Sequence, residues 1–137
     1  MTASPLVSLK LLLHERRARV VPRQGQDGAP FVGPGVDLLN ERFETLVRLC
    51  PPLFQWFSAR EPGIALRSLS LDFVSPRLLA TYFPAGVAEG DKPFVMRVDA
   101  PQVYELLTLA SPLSDAARRE ALAVAALRDA ATSSGAR

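Results

Sequence analysis

The sequence predicts an α+β fold: a single domain, 1–137, in which helices pack on an antiparallel or mixed sheet of about five strands. Three observations carry this expectation. Apolar residues alternate with period two over residues 6–13 and again within 64–98. They recur at helical spacing over 36–50, 100–111 and 114–131. Short connections of turn-forming residues break the strand-like stretches, which favours antiparallel pairing and makes 64–98 a β-meander.

Residues 6–13 read Leu-Val-Ser-Leu-Lys-Leu-Leu-Leu, with Val7, Leu9, Leu11 and Leu13 alternating with Ser8 and Lys10 as in a half-buried strand. Arg19-Val20-Val21 pairs back onto it across a turn near His14–Arg17. The competing reading is a helix opened by Ser4-Pro5, because the residues that follow are good helix formers. Residues 22–35 hold four Gly and three Pro and read as a long loop. Val36, Leu39, Phe43, Leu46, Val47 and Cys50 then trace the apolar stripe of a helix, with Asp37, Asn40, Glu41, Glu44 and Arg48 opposite. Pro51-Pro52 ends it, since proline lacks an N–H and disfavours helical geometry in its predecessor.

Pro52–Phe57 restarts a short helical turn, closed by Arg60-Glu61-Pro62-Gly63. In 64–74, Leu69, Leu71 and Phe73 face one way and Ser68, Ser70 and Asp72 the other. Ser75-Pro76-Arg77 turns the chain into a strand at Leu78–Phe83, and a loop over 84–93 leads to Phe94–Val98. Asp99 and Gln102 are spaced for a capping box at the next helix, whose buried stripe is Val103, Leu106, Leu107 and Ala110. The last helix is rich in alanine and its apolar face is ill-defined, Leu122 pointing away from Val124 and Leu127. Residues 1–4 and 132–137 are expected to be flexible.

The order strand, strand, helix, strand, strand, strand, helix, helix resembles the topology of longin, roadblock and profilin-like domains. That resemblance implies a small adaptor or a dimeric scaffold.

Composition excludes several classes of function. Hydrophobic residues at 48% and charged residues at 22% describe a globular chain rather than a disordered one. The single cysteine rules out an internal disulfide and fits a reducing compartment. The N-terminus lacks the basic and apolar regions of a signal peptide, and no apolar run approaches the ~20 residues of a membrane span, so a cytoplasmic location is expected. Arginine dominates over lysine and alanine and proline abound, as in proteins from GC-rich bacterial genomes.

Chemistry-bearing residues are sparse. His14, the only histidine, stands in His-Glu-Arg-Arg with no Ser/Asp constellation to orient it and reads as an exposed turn residue. Cys50 occupies an apolar helix position and reads as packing. No set of four Cys/His ligands exists for zinc. Gly33-Pro34-Gly35 precedes a helix but lacks the Gly-Lys-Ser/Thr of a phosphate loop. Glu89 and Asp91 share a loop without the ligand spacing of a calcium site. No catalytic residue, cofactor or metal is expected.

Two surfaces remain. Phe54, Trp56 and Phe57 crowd into four positions, more aromatic area than one core layer absorbs, so with Leu122 they form a candidate apolar contact. Arg16, Arg17, Arg19 and Arg23 form the one basic cluster, in a segment (1–35) where only Glu15 and Asp27 oppose them and Lys10. The expectation is a non-enzymatic protein–protein interaction module, a small cytosolic adaptor or assembly subunit acting as a homo-oligomer or within a larger complex. The alternative is a nucleic-acid-binding accessory protein using the arginine cluster; an enzyme completed by a partner chain through Glu89 or Asp91 ranks third.

Overall fold

Alternation along the first apolar run sets the architecture. A computed structural model describes residues 6–22, 35–86 and 92–135, with side chains described as far as Arg128. Strand β1 (Leu6–Leu12) and strand β2 (Arg17–Pro22) form an antiparallel hairpin across one turn of 3-10 helix at Leu13–Glu15. The hairpin reading therefore holds over the helical one. Its buried set differs slightly from strict alternation: a register shift between Leu6 and Ser8 puts Leu6, not Val7, in the core with Leu9 and Leu11.

The chain continues through β3 (Val36–Leu39), α1 (Glu41–Leu49), α2 (Pro51–Arg60), β4 (Ala65–Asp72), β5 (Arg77–Phe83), β6 (Phe94–Val98), α3 (Gln102–Leu109) and α4 (Ser111–Gly135). All six strands join one antiparallel sheet in the order β3-β2-β1-β4-β5-β6. The fold is α+β, with one strand more than the sequence indicates.

The extra strand is β3, and it corrects the helix expected over 36–50. Val36 and Leu38 are buried while Asp37 and Leu39 are not, a period of two that four residues cannot distinguish from a helical stripe. Asn40 ends the strand at φ 54°, a conformation that no helix passes through and that asparagine tolerates better than most residues. The true helix is thus Glu41–Leu49, buried through Phe43 and Leu46. The 22–35 loop lies outside the described residues apart from Pro22 and Gly35, as do residues 1–4 and the centre of the 84–93 loop.

Register aligns the core across strands that are distant in sequence. Leu9 sits opposite Val20 and Leu71, and Leu11 opposite Ala18 and Leu69. Leu38 and Val36 continue these rows on one side, Ala80, Leu78 and Val98 on the other. All four helices contribute to the same core, α4 lying across β1, β2 and β3 and against α1. The opposite face of the sheet carries Ser8, Lys10, Arg17, Arg19, Ser68, Ser70, Asp72 and Arg97 and no helix covers it among the described residues.

Helix α4 is held by small residues. Leu113, Ala117, Ala121 and Ala125 recur every fourth position and are buried, with Ala116 beside them. The larger residues, which leave the apolar face ill-defined in the sequence, lie beside this stripe: Leu122 and Val124 are half-buried and Leu127 is 61% exposed. The helix also runs to Gly135, beyond residue 131. Helix α3 buries Val103, Leu106 and Ala110 as expected, but no capping box starts it; Pro101 precedes its first residue, and the Val103 N–H donates to the Asp99 carbonyl.

Two substitutions test this packing. Gly35 has φ 130°, and a Cβ there would lie 3.0 Å from the Val20 carbonyl oxygen, so Gly35→Ala should destabilise the protein by about 1–3 kcal/mol in denaturant unfolding. Ser114 is 2% exposed with its hydroxyl unpartnered. Ser114→Ala should therefore raise stability by about 1 kcal/mol.

Candidate interaction cleft beside an open sheet edge

Helix α2 splits the aromatic cluster. Cys50, at φ −138° and ψ 64°, is not helical and breaks the chain between α1 and α2, and proline at the first helical position restarts it. The helix is longer than the single turn expected. Leu53 and Phe57, four residues apart, are fully buried in the core, so Phe57 is not available at the surface. Phe54 and Trp56 flank that stripe and are half-buried. The indole of Trp56 stands edge-on to Phe57 with 4.9 Å between centroids, and Arg60, one turn on, lays its guanidinium 4.3 Å from the indole centroid. Leu122 lies on α4, which packs on β1–β3, α1 and α3. The four residues expected to form one patch are therefore spread between the core and two helices.

Trp56 nevertheless lines a cleft. An open cavity of about 400 Å³ is bounded by Trp56, Arg60 and Glu61 at the end of α2, by Met96, Arg97 and Val98 of β6 with Asp99, and by Gln102 of α3. Its lining includes Arg60 and Arg97 together with Glu61 and Asp99, so neither sign of charge is in excess among them. The strand that forms its wall is the last of the sheet and has no outer neighbour among the described residues. An edge strand presents backbone donors and acceptors to which a further strand can pair. Strand β6 also exposes large apolar side chains, Phe94 at 51% and Val95 at 64%. Such an arrangement offers main-chain hydrogen bonds beside a side-chain pocket, the two requirements for accepting an extended segment.

The arginine cluster is partly neutralised within the chain. Arg16 adopts φ 52° at the end of the 3-10 turn and pairs with Glu44 of α1. Arg17 lies 3.1 Å from Glu15 and 3.7 Å from Asp37, and Arg19 donates to Asp37 at 3.0 Å. Arg17 and Arg19 occupy the open face of the sheet, whereas Arg16 reaches toward the helices, so the three do not converge on one site. Arg23, Glu89 and Asp91 lie outside the described residues.

His14 sits in the 3-10 turn, its Nδ1 3.3 Å from the Arg67 carbonyl oxygen and its Nε2 3.3 Å from Glu15. The thiol of Cys50 is 3% exposed and donates to the Leu109 carbonyl at 3.1 Å, tying the α1–α2 junction to the end of α3. Among the described residues no group of three or more His, Cys, Asp or Glu is placed to hold a metal ion, and no helix is long and apolar enough to cross a membrane.

Of the residues lining the cleft the sequence singles out only Trp56; Arg60, Glu61 and Gln102 read there as turn and cap residues, and Met96, Arg97, Val98 and Asp99 as a strand and its end. Phe94, Met96 and Val98 were legible as one face of a strand, but nothing local says that the strand is an edge. The clue is positional: β6 ends the meander and the chain then leaves the sheet as helix.

Glu61 links the cleft to Tyr82, a 7%-exposed residue of β5. Burial pushes the Tyr82 phenol above its ordinary pKa, and the negative charge and hydrogen bond of Glu61 push the same way. The fold favours the protonated phenol, so this contribution is complete below the unfolded-state pKa near 10 and is lost as pH rises through the higher folded-state value. Thermal unfolding should show a steeper alkaline decline above about pH 10 for the parent chain than for Tyr82→Phe.

No protein-family model matches this chain, and no similar curated protein or solved structure was found, so the expected resemblance to longin, roadblock and profilin-like domains finds no support and carries no function across.

Proposed function

We propose that this chain is a non-enzymatic protein–protein interaction module, a small cytosolic adaptor or assembly subunit that associates with itself. The observation carrying this reading is the juxtaposition of the Trp56 cleft with the edge strand β6, which has no outer neighbour among the described residues. An aromatic floor with an adjoining arginine is the composition of binding hot spots, and an open edge supplies directional main-chain contacts. The cleft holds no nucleophile beside a base, and its charges are balanced; both features suit contact better than catalysis or the capture of a small ion.

The nucleic-acid alternative rests on Arg16, Arg17, Arg19 and Arg23. Carboxylates already engage the first three, and phosphate contacts would have to displace those pairs. No observation favours that reading over self-association.

Sedimentation equilibrium of the purified chain over a wide concentration range tests the proposal. The expected result is reversible association that Trp56→Ala weakens by at least about tenfold, while its circular dichroism stays unchanged. A monomer at every concentration would overturn self-association.

A further inference from the structure

We propose that a second copy of this chain occupies the cleft, through antiparallel pairing of β6 with β6 about a twofold axis at Met96, so that Phe94 of each copy enters the Trp56 cleft of the other. This inference rests on the self-association reading and specifies its geometry.

The two edges of the sheet differ in how well they are protected. At one edge, β3 is four residues long, and its central Asp37 is ion-paired to Arg17 and Arg19 of β2. The other, β6, has five residues, no internal proline and no register shift against β5. It exposes Phe94 and Val95, where protected edges place charges, prolines or bulges. An edge of that kind is a template for another strand.

Charge and shape select an antiparallel copy as that strand. Lys92 enters β6 and Asp99 leaves it, so antiparallel copies bring opposite charges together at both ends, whereas parallel copies would juxtapose like charges. A twofold axis perpendicular to the sheet keeps each residue on its own face, so facing pairs must have the same parity. Centring the axis on Met96 sets Phe94 opposite Val98 of the other copy and Val95 opposite Arg97. Centring it on Val95 would set Val95 opposite itself and Phe94 opposite Met96 of the other copy.

The Met96 register also supplies an occupant for the cleft. Phe94, Met96 and Val98 project to the helix-bearing face, opposite Tyr82, Ala80 and Leu78. Met96 and Val98 line the cleft that Trp56 floors. Phe94, half-exposed in one copy, would therefore arrive at the apolar wall of its neighbour's cleft, and the exchange is reciprocal. One two-sided contact thus accounts for both the open pocket and the exposed ring.

Val95→Lys and Val95→Glu discriminate the possibilities, because residue 95 is 64% exposed and neither change disturbs the core. In the proposed register, Val95→Lys faces Arg97 twice and should weaken the dimer about three- to tenfold by sedimentation equilibrium, whereas Val95→Glu should tighten it by a similar factor. Weakening by both variants would place Val95 opposite itself and overturn the Met96 register. A dimer that neither variant alters would overturn the β6 contact and leave self-association standing. A parent chain that never associates would remove both.

Discussion

The pairing of β1 with β4 is the constraint on which the molecule depends. It joins two local units, the β1–β2–β3 and β4–β5–β6 meanders, and its register brings Leu9 against Leu71 and Leu11 against Leu69. A slip of one residue would turn each of those leucines toward water and bring Lys10 and Ser70 inward. A slip by any odd number of residues would deny the four helices a continuous apolar surface to cover. The edge positions of β3 and β6 follow from the same pairing, because putting β1 and β4 at the centre leaves the third strand of each unit outermost.

What the sequence made legible divides along the line between local and non-local information. The β1–β2 hairpin, β4, β5 and β6 could be read because their alternation spans five or more residues between turn signals. The strand at Val36–Leu39 could not, because three of its four residues are apolar and two of them, Val36 and Leu39, continue the phase of the helix behind them. Asn40 at φ 54° marks the boundary, a conformation that no composition rule reveals. The buried face of α4 was hidden for another reason. Alanine contributes little to a hydrophobic pattern, so Ala117, Ala121 and Ala125 were outweighed by the larger Leu122, Val124 and Leu127.

The candidate site shows the same division. Trp56 stood out by its chemistry, and it does line the cleft. Phe57 stood out equally and is core, since only its helical phase relative to Leu53 decides which aromatic faces inward. Arg16, Arg17 and Arg19 looked like a single basic surface because they are close in sequence. The carboxylates that engage them come from the 3-10 turn, β3 and α1, and the last two follow the 22–35 segment. Met96, Arg97 and Val98 were legible as strand residues but not as part of a site, because being at an edge belongs to the sheet and not to the strand.

The alanine stripe of α4 has a consequence for how the protein tolerates change. A helix that reaches the sheet through methyl groups brings its backbone close and leaves little room between the layers. Enlarging Ala117 or Ala121 would push the whole helix outward, an overpacking cost of typically 1–3 kcal/mol. The solvent side, with Asp115, Arg119 and Leu127, carries no such restriction. Mutational drift on α4 should accordingly be one-sided: free in size and charge on its outer surface, and limited to the smallest side chains where it meets β1–β3.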